Sequence, residues 1–582
     1  MGYGRNATDP TGAEEAAATS AEGTGAAGPK GLLADSRTVA VWTLVSRLTG
    51  FGRVATMGAV LGPTYFGNIF QTTAVFPMML FALLGGSLIG AVLVPPLVRW
   101  GDGGNDAMFR RLANGFLGAI LPILLVVGAG VVLLTPYLLT LLTAAVDDPA
   151  IREQQHHVGR LLMLMLMPQL LLYGVAYVGI AVQHARGRFA LPAAAQVLEN
   201  IGSIAVLGLS ALIFGAGADL GDVPIGQVVL LGVGTTCAVG LHAATQWWGA
   251  FRAGVALLPS AGWRHKEVRR LLVTAFTSSG YTALYNFVLF AILIVAGSLP
   301  GGVIAFQIGQ NFAFVAVALG AVPLSAAQLP RLSRCFNEDD AAGFRSTFQE
   351  GFAFSRFLTI PAGFVLVALS GVLARAVAFG EMATAEGVAM IAACVASVGL
   401  GVFGEGATVL LTSAAYARRD SLTPLRAMML RAVVVLAGTG LALTVMDGVA
   451  VLWTTGLALS AGNLAAAAYQ YRGLNRALPA VGGQRAGFLW DLFSAAGATA
   501  ISGAVIFWLV GHPDTYAAAF AAAFAGGLLA GGLYLGTQWA RGSEEMAALL
   551  SLIGFGPGSH PSAASGAGAA PAGREQSRPM RL

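Results

Sequence analysis

The chain has 582 residues, of which 56% are hydrophobic and only 10% charged, and its mean hydropathy is +0.73. An average soluble domain is roughly 25% charged, so this balance excludes an ordinary soluble protein and fits a polytopic helical membrane protein. The net charge of +5 sits in short loops between apolar segments, where it marks topology rather than a nucleic-acid partner.

In chain order, residues 1–35 are rich in Ala, Gly, Thr and Glu without apolar periodicity and read as a disordered tail. Fourteen apolar segments follow, at about 38–62, 66–94, 113–144, 158–183, 190–215, 225–250, 270–298, 303–329, 352–376, 386–415, 422–446, 449–471, 487–511 and 515–540. Each is long enough to cross the ~30 Å hydrocarbon core, which needs about 20 helical residues. Residues 546–582 read as a second disordered tail.

The loops alternate in charge. Arg99, Arg110, Arg111, Arg186, Arg188, Arg252, Lys266, Arg331, Arg334, Arg418, Arg419, Arg472 and Arg476 fall on one side, and Asp147, Asp148, Asp219, Asp222, Asp447 and Asp514 on the other. The positive-inside rule makes the arginine-rich side cytoplasmic. Both termini are then cytoplasmic, as an even number of spans requires.

The loops also repeat. Pro95-Pro96-Leu97-Val98-Arg99 after the second segment is echoed by Pro330-Arg331-Leu332-Ser333-Arg334 after the eighth. Ala185-Arg186 with Pro192 after the fourth is echoed by Ala417-Arg418 with Pro424 after the tenth. A duplicated bundle is expected, all-α, with two six-helix lobes related by a pseudo-two-fold axis along the membrane normal. The boundaries are 36–250 for the first lobe, 251–269 for a cytoplasmic linker and 270–473 for the second lobe. Two extra helices follow within 474–545. The linker is either an amphipathic segment on the inner leaflet or an ordinary basic connection.

Ionisable residues inside spans are costly and by default mark a site or a pathway. The first segment holds Ser46-Arg47-Leu48-Thr49-Gly50-Phe51-Gly52-Arg53. Arg47 and Arg53 read as a cationic cavity lining for an anionic headgroup, because the guanidinium fork matches phosphate; otherwise they snorkel to the interfaces. Gly50 and Gly52 are expected to loosen the helix. Glu199 in the fifth segment and Glu405 in the tenth are candidates for ion or proton coupling, or else structural salt bridges. Asn68, Gln71, Gln307, Gln310 and Asn311 could line a cavity or bond between helices. Cys237, Cys335 and Cys394 are scattered, which supports neither a disulfide framework nor a metal site. No phosphate-binding GxxxxGK[ST] string and no hydrolytic constellation occurs, so a transporter is expected and an enzyme is not.

The string at 46–53 resembles the first-span signature of the MurJ/MviN lipid II flippases, within the multidrug/oligosaccharidyl-lipid/polysaccharide exporter superfamily. Arg188-Phe189-Ala190-Leu191-Pro192 through Asn200-Ile201 is similar to their turn from the fourth to the fifth span. Leu329 to Arg334 and Tyr416-Ala417-Arg418-Arg419-Asp420 with Thr423-Pro424 match the corresponding later turns. The resemblance covers about residues 36–545. It implies two lobes around a central cationic cavity, open alternately to either side. It also implies movement of undecaprenyl-pyrophosphate-linked peptidoglycan precursor from the inner to the outer leaflet of the bacterial plasma membrane. Arg47 and Arg53 match the family's first-span arginines, whereas a family acidic residue falls at Asn68 and family arginines fall at Ala82 and Asn311.

The expected substrate-binding set is therefore Arg47, Arg53, Asn68, Gln71, Gln310 and Asn311. No cofactor is expected; the drive would be membrane potential or an ion gradient. Expected partners are the lipid-linked glycan, membrane lipids and cell-wall synthesis proteins. The alternatives are a flippase for another lipid-linked glycan, a drug or metabolite exporter on the same scaffold, and a non-transporting cell-envelope scaffold.

Overall fold

The computed structural model describes residues 29–86, 89–277, 279–478, 484–511 and 515–552. Among these residues the regular structure is entirely helical. A chain this apolar has no water for its backbone within a bilayer, and a helix pairs every amide inside its own segment.

The elements run as α1 (Pro29–Leu61), α2 (Tyr65–Leu83), α3 (Ile89–Asp102), α4 (Asp106–Leu142), α5 (Pro149–Leu166), α6 (Gln169–Ala185), α7 (Ala190–Phe214) and α8 (Ile225–Arg252). A short 3-10 turn at Ala261–Arg264 leads to α9 (Lys266–Thr277), α10 (Gly280–Ala296), α11 (Gly302–Asn337), α12 (Ala341–Ala368) and α13 (Ser370–Val377). After a 3-10 turn at Gly380–Ala383 come α14 (Ala385–Gly399), α15 (Val402–Ala417), α16 (Leu422–Val445) and α17 (Val449–Ala477). The chain closes with α18 (Gln484–Val510), α19 (Tyr516–Arg541) and α20 (Glu544–Leu552).

Each of the fourteen expected segments falls on one helix or on a broken helix. Eleven spans qualify as membrane-crossing by length and hydropathy alone, or thirteen when α9 with α10 and α14 with α15 each count as one span bent by 43°. α1, which carries Arg47 and Arg53, is not among them.

Three local expectations change. Residues 29–35 belong to α1 and 546–552 to α20, rather than to tails, because extending an existing helix adds a hydrogen bond for each residue fixed. The rest of both tail assignments, 1–28 and 553–582, lies outside the described residues. Gly50 and Gly52 do not loosen α1, whose helix runs through both. Beyond the end of α8 at Arg252 the linker forms no helix before Ala261. It is pinned to α4 instead: the Leu258 and Ser260 amides donate to the Asn114 side chain at 3.3 Å and to its carbonyl at 3.1 Å. Gly118 admits this close approach, since a Cβ there would strike the Ser260 backbone.

Packing partners recur six spans apart. α1 lies on α7, α7 on α8 and α6 on α8; correspondingly α10 lies on α16, α16 on α17 and α15 on α17. The breaks recur as well, at Met167–Pro168 between α5 and α6 and at Leu400–Gly401 between α14 and α15. α18 and α19 pack on each other and against α12 and α13.

The apolar core is distributed unevenly along the bundle. At one end a single cluster joins the two halves, with Phe66, Phe70 and Leu162 meeting Ile304, Ile308 and Val395. At the arginine-rich end the cores are separate. One is built on Phe109, Phe116 and Val178, the other on Phe344, Phe348 and Leu474. Helices joined at one end and separately packed at the other leave a space between the halves.

Candidate substrate cavity

α1, α7 and α11 enclose a cavity of about 340 Å³, lined among others by Arg47, Arg53, Gln196, Asn200, Gln307 and Asn311. It therefore lies between the first half of the chain and the second. Gln307 and Asn311 share a face of α11 because they are one turn apart. Asn200 ties α7 to α1 by donating to the Ser46 carbonyl and the Thr49 hydroxyl, each at 3.2 Å. Phe51 and Phe312 meet edge to face at 4.9 Å between α1 and α11.

The electrostatics of this cavity are one-sided. Among the described residues neither Arg47 nor Arg53 takes part in an ion pair. Arg47 is exposed and Arg53 half-buried. The Arg53 Nε is closed off from solvent with no hydrogen-bond partner, as is the Gln307 Oε1. Two guanidinium groups without carboxylate partners, beside neutral amides, present donors whose chemistry suits an anion with several acceptor oxygens.

The structure separates the other expected site residues. Gln310, next to Asn311 but about 100° further round the helix, faces away from this cavity. It lines a void of about 20 Å³ with Tyr285, Glu405, Arg431 and Asn463, room for roughly one water. There Arg431 Nη1 donates to Glu405 Oε2 at 2.9 Å, and the guanidinium lies 4.9 Å over the Tyr285 ring.

Asn68 is buried at the opposite, jointly packed end. Its Nδ2 donates to the Leu299 carbonyl at 2.6 Å and to the Gly297 carbonyl at 3.3 Å, while its Oδ1 accepts from the Val303 amide at 3.1 Å. Tyr65 Oη donates to the Ser298 carbonyl at 3.1 Å, and the Gly301 amide to the Thr64 carbonyl at 3.1 Å. Asn68 thus clamps α2 to the loop between α10 and α11. Gln71, one turn on, is buried with its Nε2 unpartnered, and Ala82 is buried near the end of α2; neither borders the cavity.

Glu199 is buried beside the cavity. Its Oε2 lies 2.7 Å from His242 Nδ1 on α8 and accepts from Gln196 at 3.3 Å.

Against known proteins, the profile of the family described as "Lipid II flippase MurJ" matches residues 57–524. The chain belongs to the MurJ family. Its curated relatives include a probable lipid II flippase MurJ of Synechocystis sp., 25% identical over 403 residues, or 67% of this chain and 72% of that one. A second, from Rhizobium meliloti, is 25% identical over 423 residues, or 71% of this chain and 75% of its own length. Among solved structures, a lipid II flippase MurJ in an inward closed conformation aligns with a TM-score of 0.66 at 15% identity, over 86% of this chain and 99% of that one. An inward-facing multidrug resistance MATE family transporter of the MOP superfamily aligns with a TM-score of 0.59 at 13% identity, over 75% and 95%. At such identities the two structures establish the fold alone. Membership of MurJ makes this a multi-pass membrane protein of a lipid flippase family, a transporter family and not an enzyme family.

Three features of the MurJ fold here escaped sequence reasoning. His242 is a single histidine in an apolar run, and its spacing from Glu199 carries no signal. Asp491 and Arg356 form a buried ion pair that holds α18 to α12, with Gln538 Nε2 donating to Asp491 Oδ1 at 2.7 Å. Beside that pair runs an apolar groove of about 530 Å³, walled by Phe352, Phe403, Leu411, Leu464, Tyr471 and Phe488. Its walls come from four distant stretches of sequence, each unremarkable in a chain this rich in apolar residues.

Proposed function

We propose that this chain moves undecaprenyl-pyrophosphate-linked peptidoglycan precursor from the inner to the outer leaflet of the bacterial plasma membrane, by alternating access to the Arg47–Arg53 cavity. The observation that carries the reading is a pair of guanidinium groups with no carboxylate partner, in a polar cavity between the two halves of the bundle. A pyrophosphate supplies the acceptor oxygens these groups lack. Asn311, Gln307 and Asn200 add neutral hydrogen bonds suited to a glycan.

A lipid-linked substrate also needs an apolar surface for its tail, and the groove lined by Phe352, Phe403 and Tyr471 fits that need. In alternating access the shared core and the Asn68 clamp close one end, while the separate cores at the other end let the halves part. The loop arginines put both termini and the open end in the cytoplasm. The two halves act as rocking lobes, with the α18–α19 pair as an addition. Membrane potential or an ion gradient drives the cycle, and cell-wall synthesis proteins receive the product.

A second reading rests on the cavity's modest charge. With neutral residues at Asn311 and Gln307, two arginines remain to hold the headgroup, which also fits a lipid-linked glycan of lower charge. Proteoliposomes separate these readings. Fluorescent lipid II is placed in one leaflet and its exposure to an impermeant quencher is followed with and without a membrane potential, in wild type and Arg47→Ala. Arginine-dependent flipping is expected. No flipping by folded wild-type protein, with a working positive control, overturns the lipid II reading.

A further inference from the structure

Glu405 and Asp491 each pair with an arginine, whose charge persists at any physiological pH. Those pairs are fixed. Glu199 differs: its partner His242, 2.7 Å away, carries the side chain whose charge most readily changes near neutral pH. His242 is 2% exposed and Glu199 6%.

The hydrogen bonds around the imidazole have a direction. Nδ1–H donates to Glu199 Oε2, leaving Nε2 to accept from Gln246 Nε2 at 3.3 Å. Gln246 Oε1 in turn accepts from Gln183 Nε2 at 2.7 Å. The chain ends on a buried acceptor with no partner, Gln183 Oε1. Gln246 Nε2 also donates to the Pro192 carbonyl at 3.3 Å, and Gln183 Nε2 to the Gly179 and Gln246 carbonyls at 3.2 and 3.3 Å. A proton on His242 Nε2 makes that atom a donor facing the Gln246 amide N–H, so Gln246 has to turn its amide, and its bonds to Pro192 and Gln183 rearrange with it. Gly179 and Gly249 make the close approach possible, since a Cβ at either would strike the Gln246 backbone or the Gln183 amide.

We propose that Glu199 and His242 are a proton-binding site, and that the proton taken up at His242 Nε2 is the coupling ion of the transport cycle. This inference rests on the flippase reading and names its ion. The site communicates with the cavity through Gln196, which lines it and donates to Glu199 at 3.3 Å, and through Asn200, which holds the helix of Arg47 and Arg53. The titratable groups turned toward the pair are Tyr173 and Tyr177 on α6, and Arg53 on α1 lies near Tyr173. α5 meets α8 at Thr236, whose hydroxyl donates to the Met165 carbonyl at 2.8 Å, more than a turn from His242. Uptake of a proton rearranges the hydrogen bonds of Gln246 and Gln183 between α6 and α8. It also adds a positive charge beside the cavity, which favours an anionic headgroup there and couples occupancy to proton binding.

Two measurements on the full chain test this. In nanodiscs, ¹⁵N-imidazole NMR is followed through a pH titration, with the His242 signal identified by its loss in His242→Gln. The expected result is that the ring gains its second N–H as pH falls and that Glu199→Gln shifts this transition. A His242 ring in one protonation state throughout overturns the proposal, whether or not the protein flips lipid II. In proteoliposomes clamped at zero potential, an imposed pH difference is expected to change the rate of fluorescent lipid II flipping several-fold in wild type and to leave His242→Gln indifferent. An equal response in both overturns it. Should His242→Gln fail to fold, Gln183→Met, which leaves the pair itself intact, is expected to perturb the same NMR transition and blunt the pH response. An unaltered transition and response in that variant count against the proposal.

Discussion

Arg53→Met separates a binding role from a structural one. Among the described residues Arg53 has no ion pair, and its Nε is shut off from solvent without a partner. Replacing the guanidinium by a thioether of similar reach removes an unsatisfied polar group. Relief of such a group is worth about 1–3 kcal/mol when burial is complete. Arg53 is only half-buried, so a gain at the lower end, about 1 kcal/mol, is expected. The substrate loses a charge-assisted contact worth about 1.5–3 kcal/mol, or about 10- to 150-fold in affinity at a factor of ten per ~1.4 kcal/mol. Thermal unfolding of the detergent-solubilised protein, followed by size-exclusion fluorescence, should show equal or higher stability. Flipping at subsaturating lipid II should fall by one to two orders of magnitude. A variant that is less stable and flips normally refutes the reasoning and makes Arg53 a structural residue.

Three further outcomes follow from the packing. Asn68→Ala removes three hydrogen bonds to the 297–303 loop. At about 1 kcal/mol net each, thiol labelling at Ser298→Cys in a background without native cysteines should rise at least tenfold; unchanged labelling would show that the clamp does not hold that end. Glu405→Gln alone should cost about 3–5 kcal/mol by stranding the buried Arg431, whereas Glu405→Gln with Arg431→Met should recover most of it, as read by thermal unfolding of the singles and the double. Asp491→Asn should loosen α18 and α19 from α12 by breaking the Arg356 pair, exposing α18 to protease while α1–α8 stay protected. Equal protection throughout would show that the pair does not anchor these helices.

The long apolar runs were enough to announce an all-helical membrane protein, because a bilayer admits few other backbone solutions and each span satisfies its own hydrogen bonds. Arg47 and Arg53 were legible as candidates because a charge inside a span is rare and expensive, and the loop strings around Pro192 and Pro424 carried the family. Partner choice was not legible. Gln310 and Asn311 are neighbours in sequence, yet helical rotation sends one to the Glu405–Arg431 pair and the other to the cavity. Asn68 reads as a polar lining residue, yet its amide is spent on three backbone groups of another span. The pairing of Glu199 with His242, and of Arg356 with Asp491, depends on which faces of distant helices meet. Small residues such as Gly179 and Gly249 set such approaches at single contacts, and one-dimensional periodicity records that a helix has a face without recording what the face touches.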